Sequence, residues 1–168
     1  MVLPLTGCGL TLLFTVLPIL RPSAANERTA GSMAYQVGWI GALLLLAVCH
    51  VLIVMQARHT LVEIPGDMTF FVAILIVAVG NFLGKTEPNS LVGIRTWWAL
   101  SSDYAWEKTN RAAGRMFVAA GLVGLGTVAV TDRATASRIL IGAILLTGVA
   151  AVFLSYYYWR TDPDRSRH

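Results

Sequence analysis

Few groups in this chain could carry out bond chemistry. His59, Glu63 and Asp67 recur every four residues, a spacing that would align three metal-ligand types on one helix face. Pro65-Gly66 breaks such a helix before Asp67, so no metal site is expected. His50 lies in an uncharged run and reads as a neutral, hydrogen-bonded or snorkelling imidazole. Asp103 and Glu107 share a helix face, but helix capping and an i,i+4 pair with Arg111 account for both without acid–base work. No G-x-S-x-G, HExxH or phosphate-loop spacing occurs. The expectation is a protein that is not an enzyme and takes no cofactor. Cys8 and Cys49, far apart in apolar runs, read as small apolar fillers.

The segment Gly93-Ile94-Arg95-Thr96-Trp97-Trp98 offers binding chemistry instead. A guanidinium among indoles can stack on a ring or pair bidentately with a carboxylate. Near a bilayer an unpaired Arg is costly, so Arg95 is expected to have a designated partner: Glu87, Asp103, a carbonyl cluster or a ligand anion. Paired tryptophans also suit a membrane–water interface, where an indole keeps its ring in grease and its N–H in water.

Those residues need elements to hold them, and composition says which. The chain has 168 residues, 56% hydrophobic and 13% charged, with mean hydropathy +0.66. A soluble domain carries about 25% charge, and a span needs about 20 apolar residues. The expectation is an all-α membrane protein, a single polytopic domain over 1–168. Five spans are read at 2–20, 34–55, 68–83, 116–131 and 139–159. Nothing basic precedes the first run, so it reads as a retained span and not a cleaved signal. The positive charge of +4 then serves orientation and headgroups, not nucleic acid. With the N-terminus outside, the inner segments hold Arg21, Arg28, Lys85, Arg95, Lys108, Arg111, Arg115, Arg160, Arg165 and Arg167, while the outer ones hold Arg58, Arg133 and Arg138. That bias puts the C-terminus inside and makes Tyr156 to Trp159 an inner aromatic collar.

The long inner segment between the third and fourth spans must be structured, since it is too aromatic for disorder. Ser101-Ser102-Asp103 reads as a helix start, from which a helix runs unbroken into the fourth span. On its wheel Ala105, Trp106, Ala112, Ala113, Met116 and Phe117 share one face, while Lys108, Arg111 and Arg115 share another. Such a helix could lie on lipid headgroups or dock a protein partner. Gly80 with Gly84, and Ala120 with Gly124, space small residues for close helix approach. Packing within the chain is their first use and homodimerisation the second. The spans carry no Asp, Glu, Lys or Arg, which gives no support to transport of charged solutes.

Gly80-Asn81-Phe82-Leu83, Pro88-Asn89, Gly93-Ile94-Arg95-Thr96, Trp98, Leu100-Ser101, Trp106, Lys108-Thr109 and Arg111 together resemble the signature of the SdpI family, over about residues 80–117. Trp97, Ala99 and Asn110 depart from it, standing where proline, threonine and histidine are common. The resemblance implies a multi-pass protein of the bacterial cytoplasmic membrane that gives immunity to a peptide toxin. It also implies signalling by recruitment of a cytoplasmic repressor protein, with the lipid bilayer as the other partner and no direct contact with nucleic acid. Asn89, Gly93, Arg95, Thr96, Trp98, Trp106, Lys108, Thr109, Arg111 and Arg115 are the candidate ligand- and partner-binding residues. The alternative from another class is a small passive permease or a lipid-interacting scaffold without a signalling role.

Overall fold

The computed structural model describes residues 67–88 and 92–163, together with individual helical positions between 8 and 16 and between 36 and 54. The spans expected at 2–20 and 34–55 are described only at those individual positions, and Cys49, His59, Glu63 and Asn89 lie outside the described residues. Four helices have continuous described bounds: α1 Asp67–Leu83, α2 Trp97–Leu100, α3 Asp103–Val130 and α4 Arg133–Arg160. No strand occurs among the described residues.

Local chemistry sets each boundary. The α1 helix follows Pro65-Gly66 and closes in a turn, where Lys85 N–H donates to Phe82 O at 3.0 Å and Thr86 Oγ1 to Leu83 O at 2.9 Å. Ser102 caps α3, its hydroxyl oxygen accepting from Ala105 N–H at 3.0 Å. Asp103 then places an acid in the first turn, against the positive end of the helix dipole. Asp132 caps α4 by accepting from Thr135 N–H at 3.0 Å. The Thr135 hydroxyl first, and then the Thr135 N–H of the cap, hold its carboxyl below the usual carboxylate range. Only Thr131 and Asp132 separate α3 from α4, so the two helices form a tight antiparallel hairpin.

Packing inverts the arrangement of a water-soluble bundle. Apart from Trp106, Leu83 and Leu140, the buried side chains are small or polar, among them Ala73, Ala113, Ala120, Ala136, Ala151, Thr109, Asn110, Thr147 and Ser155. The large apolar side chains point outward, with Val130 80%, Leu146 70% and Phe153 70% exposed. In water this would waste the hydrophobic effect; in lipid it is the expected sorting, because small residues let helix backbones approach. The contact between α1 and α3 shows this directly. A Cβ added at Gly80 would sit 2.8 Å from Gly114 O, and one added at Gly114 would sit 2.6 Å from Gly80 O. Gly80 and Gly84 are thus used within the chain, as is Gly124, which meets Leu140 of α4 and Ala73 of α1.

Length and composition mark α3 and α4 as able to cross a membrane. At about 1.5 Å per residue each 28-residue helix runs roughly 42 Å, more than the roughly 30 Å of hydrocarbon. Where 116–131 and 139–159 were expected as spans, the helices extend beyond both. The surplus of α3 carries the amphipathic turns from Asp103 to Arg115 that the wheel anticipated.

Candidate functional site

Gly93 begins the site. Its φ of 129° lies in a region that L side chains rarely adopt. A Cβ there would also strike Asn110 Oδ1 and Trp106 Cη2, both at 2.8 Å. The backbone can therefore lie directly on the first turns of α3. Val92 and Ile94, on either side, pack against Leu83, Ala113 and Ala151, the apolar cluster shared by α1, α3 and α4.

Asn110 is the hub of this contact. It is buried, accepts from Ile94 N–H at 2.7 Å, and donates through Nδ2 to Trp106 O at 3.0 Å. Trp106 is also buried, and its Nε1–H donates to Thr86 O at 2.8 Å, tying the end of α1 to α3. Backbone groups of the loop that would otherwise lack partners are thus met by side chains from one helix face. Thr109 is buried beside them, and its Oγ1 finds no hydrogen-bond partner among the described residues.

The second anchor runs to α4. Thr96 caps α2, accepting from Ala99 N–H at 3.2 Å, and its hydroxyl donates to Ser155 Oγ at 2.7 Å. Ser155 in turn donates to Val152 O at 2.7 Å. Rings extend the contact: Trp98 meets Tyr156 edge-on at 5.3 Å between centroids, and Trp97 meets Trp159 at 5.5 Å. Each such aromatic pair contributes about 0.5–1.5 kcal/mol beyond its buried area. Ser102 Oγ donates to Asp162 Oδ2, closing the clasp between the start of α3 and the residues after α4.

The predicted site residues separate into two groups. Gly93, Thr96, Trp98, Trp106 and Thr109 converge in the contact of the loop with α3 and α4. Arg95, Lys108, Arg111 and Arg115 are exposed. Arg95 departs from expectation: neither Glu87 nor Asp103 takes its guanidinium, and no described residue forms an ion pair or hydrogen bond with it. The loop turns Arg95 outward while the flanking Ile94 and Thr96 anchor inward, as extended backbone alternation requires. Arg111 pairs with Glu107 as the spacing predicts, and Lys108 lies 5.6 Å from the Tyr104 ring centre. Asn110 and Ser155 were missed as site residues. Asn110 had a signal, since a polar residue on the Trp106–Ala113 face must find partners; Ser155 had none.

The described residues therefore define a helical protein in which two helices long enough to span a bilayer grip an aromatic, arginine-bearing loop at one end. Residues 85–157, which hold this loop, α3 and most of α4, match the SdpI/YfhL protein family. Over 92 residues the chain is 32% identical to the immunity protein SdpI of Bacillus subtilis (strain 168). That alignment takes in 53% of this chain and 42% of the relative, so the chain matches less than half of that protein's length. No solved structure matches the chain. Family and helices together mark a membrane protein.

Proposed function

We propose that this chain is a multi-pass immunity protein of the bacterial cytoplasmic membrane that protects its host from a peptide toxin. On this reading five spans, at 2–20, 34–55, 68–83, 116–131 and 139–159, carry the N-terminus outside and the C-terminus inside. The 92–102 loop and the ring pairs of Trp97 and Trp98 form the cytoplasmic recognition surface, with Arg95 as its anion-reading group. Lys108, Arg111 and Arg115 face headgroups or a cytoplasmic regulator.

One observation carries the reading. The loop is fastened from within by Asn110, Trp106 and Thr96, yet Arg95 and Trp97 are left outward and without burial. A loop that merely sealed the bundle would have no need to present an outward guanidinium two residues from an indole that is 68% exposed. Similarity to a relative called an immunity protein supports the class of function.

The test is survival of a sensitive host expressing the chain, challenged with a panel of secreted antibacterial peptides. Wild type is expected to protect against at least one member, and Arg95→Ala at matched membrane abundance to lose that protection. Equal survival of the two would remove Arg95 from recognition, and no protection by wild type against any member would overturn immunity.

A further inference from the structure

Between them, α1 and α3 leave a groove of about 620 Å³ near the end of the bundle that holds the loop. Gly80, Gly84 and Gly114 form its floor, where the two backbones come closest. Lys85, Arg111 and Arg115 line one end with Asn81, and Val118, Ala119 and Leu122 line the other. Cationic at one end and apolar at the other, it has the polarity of a single anionic amphiphile.

We propose that this groove binds one anionic phospholipid of the surrounding bilayer, its phosphate held by Lys85, Arg115 and Arg111 and an acyl chain lying over Ala119 and Leu122. The proposal rests on the membrane placement given above. Three features favour this occupant. No described carboxylate pairs with Lys85 or Arg115, whereas Arg111 is partly satisfied by Glu107. The close approach of α1 and α3 at Gly80, Gly84 and Gly114 keeps the floor of the groove to backbone, with no side chain projecting into it from those positions. Depth supplies the third. From Met116 to Val130 the uncharged part of α3 rises only about 22 Å, against about 30 Å of hydrocarbon. To fill the bilayer the boundary must fall near Arg111, which puts the base of Arg115 about one turn inside. A guanidinium at that depth reaches back toward the interface and takes an anion there. The same end of the bundle carries Trp97, Trp98, Tyr156 and Trp159, the residues that favour headgroup level.

The test is native mass spectrometry of the full chain in mild detergent, titrated separately with dioleoyl phosphatidylglycerol, dioleoyl phosphatidylcholine and inorganic phosphate. Wild type is expected to retain one phosphatidylglycerol at least tenfold more strongly than phosphatidylcholine. Lys85→Gln with Arg115→Gln is expected to erase that preference, and Ala119→Trp to reduce retention with the cations intact. Arg138→Gln, which removes a positive charge at the far end of α4, is expected to change nothing. Equal retention of the two lipids, displacement of phosphatidylglycerol by equimolar inorganic phosphate, the same loss in Arg138→Gln, or a dimer that carries no lipid would each overturn the proposal. Alkaline carbonate extraction of the same variants separates the two readings. Chains that resist extraction but show no lipid preference refute the groove alone; a wild type that is extracted refutes the membrane placement and the groove with it.

Discussion

Replacing Asn110 by Ala is the sharpest perturbation of the recognition loop. The substitution removes the acceptor of Ile94 N–H, a bond of 2.7 Å in a partly buried site. The donor bond to Trp106 O is also lost, but that carbonyl keeps its helical partner and little is forfeited there. A buried backbone N–H without a partner costs about 1–3 kcal/mol, and the space left by the amide adds to this. A total near 2–3 kcal/mol, at about 1.4 kcal/mol per factor of ten, raises the open population of the loop roughly 30- to 150-fold. Trypsin reads this population, because Arg95 is exposed yet its backbone must leave α3 to enter a protease cleft. Cleavage after Arg95 in detergent-solubilised protein, followed by mass spectrometry, is therefore expected to accelerate by that factor in Asn110→Ala. Cleavage within threefold of wild type, with α3 still folded by circular dichroism, would refute Asn110 as the fastening of the loop.

Two other perturbations follow from the caps and the core. Thr109→Val keeps shape while removing a buried hydroxyl that lacks a partner, so stability should hold or rise by up to about 1 kcal/mol, read as thermal unfolding in detergent; a clear fall in midpoint would show that Oγ1 has a partner. Asp132 caps α4 with its carboxyl held below the ordinary range by Thr135. A carboxyl lowered in the folded state stabilises above its unfolded pKa of about 3.9, and this contribution disappears as pH falls through the lowered folded value. Amide exchange at Thr135 should accordingly be protected at pH 6 and lose protection in that acid window, while Asp132→Asn, which caps without titrating, should lack the acid-dependent step.

Much of the scaffold was readable because it depends on neighbours in sequence. Ser102 followed by Asp103 announces a helix start, and the spacing of Ala105, Trp106 and Ala113 against Lys108, Arg111 and Arg115 sets which face is buried. Gly80 and Gly114 act through the same logic of small residues, although only coordinates pair them. The site was less legible because its fastenings are distant. Thr96 reaches Ser155 across 59 positions, and Trp106 reaches Thr86 backward across 20. Periodicity carries no information about such partners. The partner expected for Arg95 was inferred from its cost near lipid, a cost that does not arise where the side chain faces outward from the bundle end.

The two-residue connector between α3 and α4 has a mechanical consequence. At one end the hairpin is closed by Thr131 and Asp132; at the other, Ser102 holds Asp162 and the loop bridges Asn110 to Ser155. The chain thus forms a hoop in which neither helix can ratchet a turn past its neighbour without tearing one rim. A one-turn slide of α4 along α3 would have to break the Ser102–Asp162 and Thr96–Ser155 bonds or stretch the connector, whereas a small tilt of the pair need break neither.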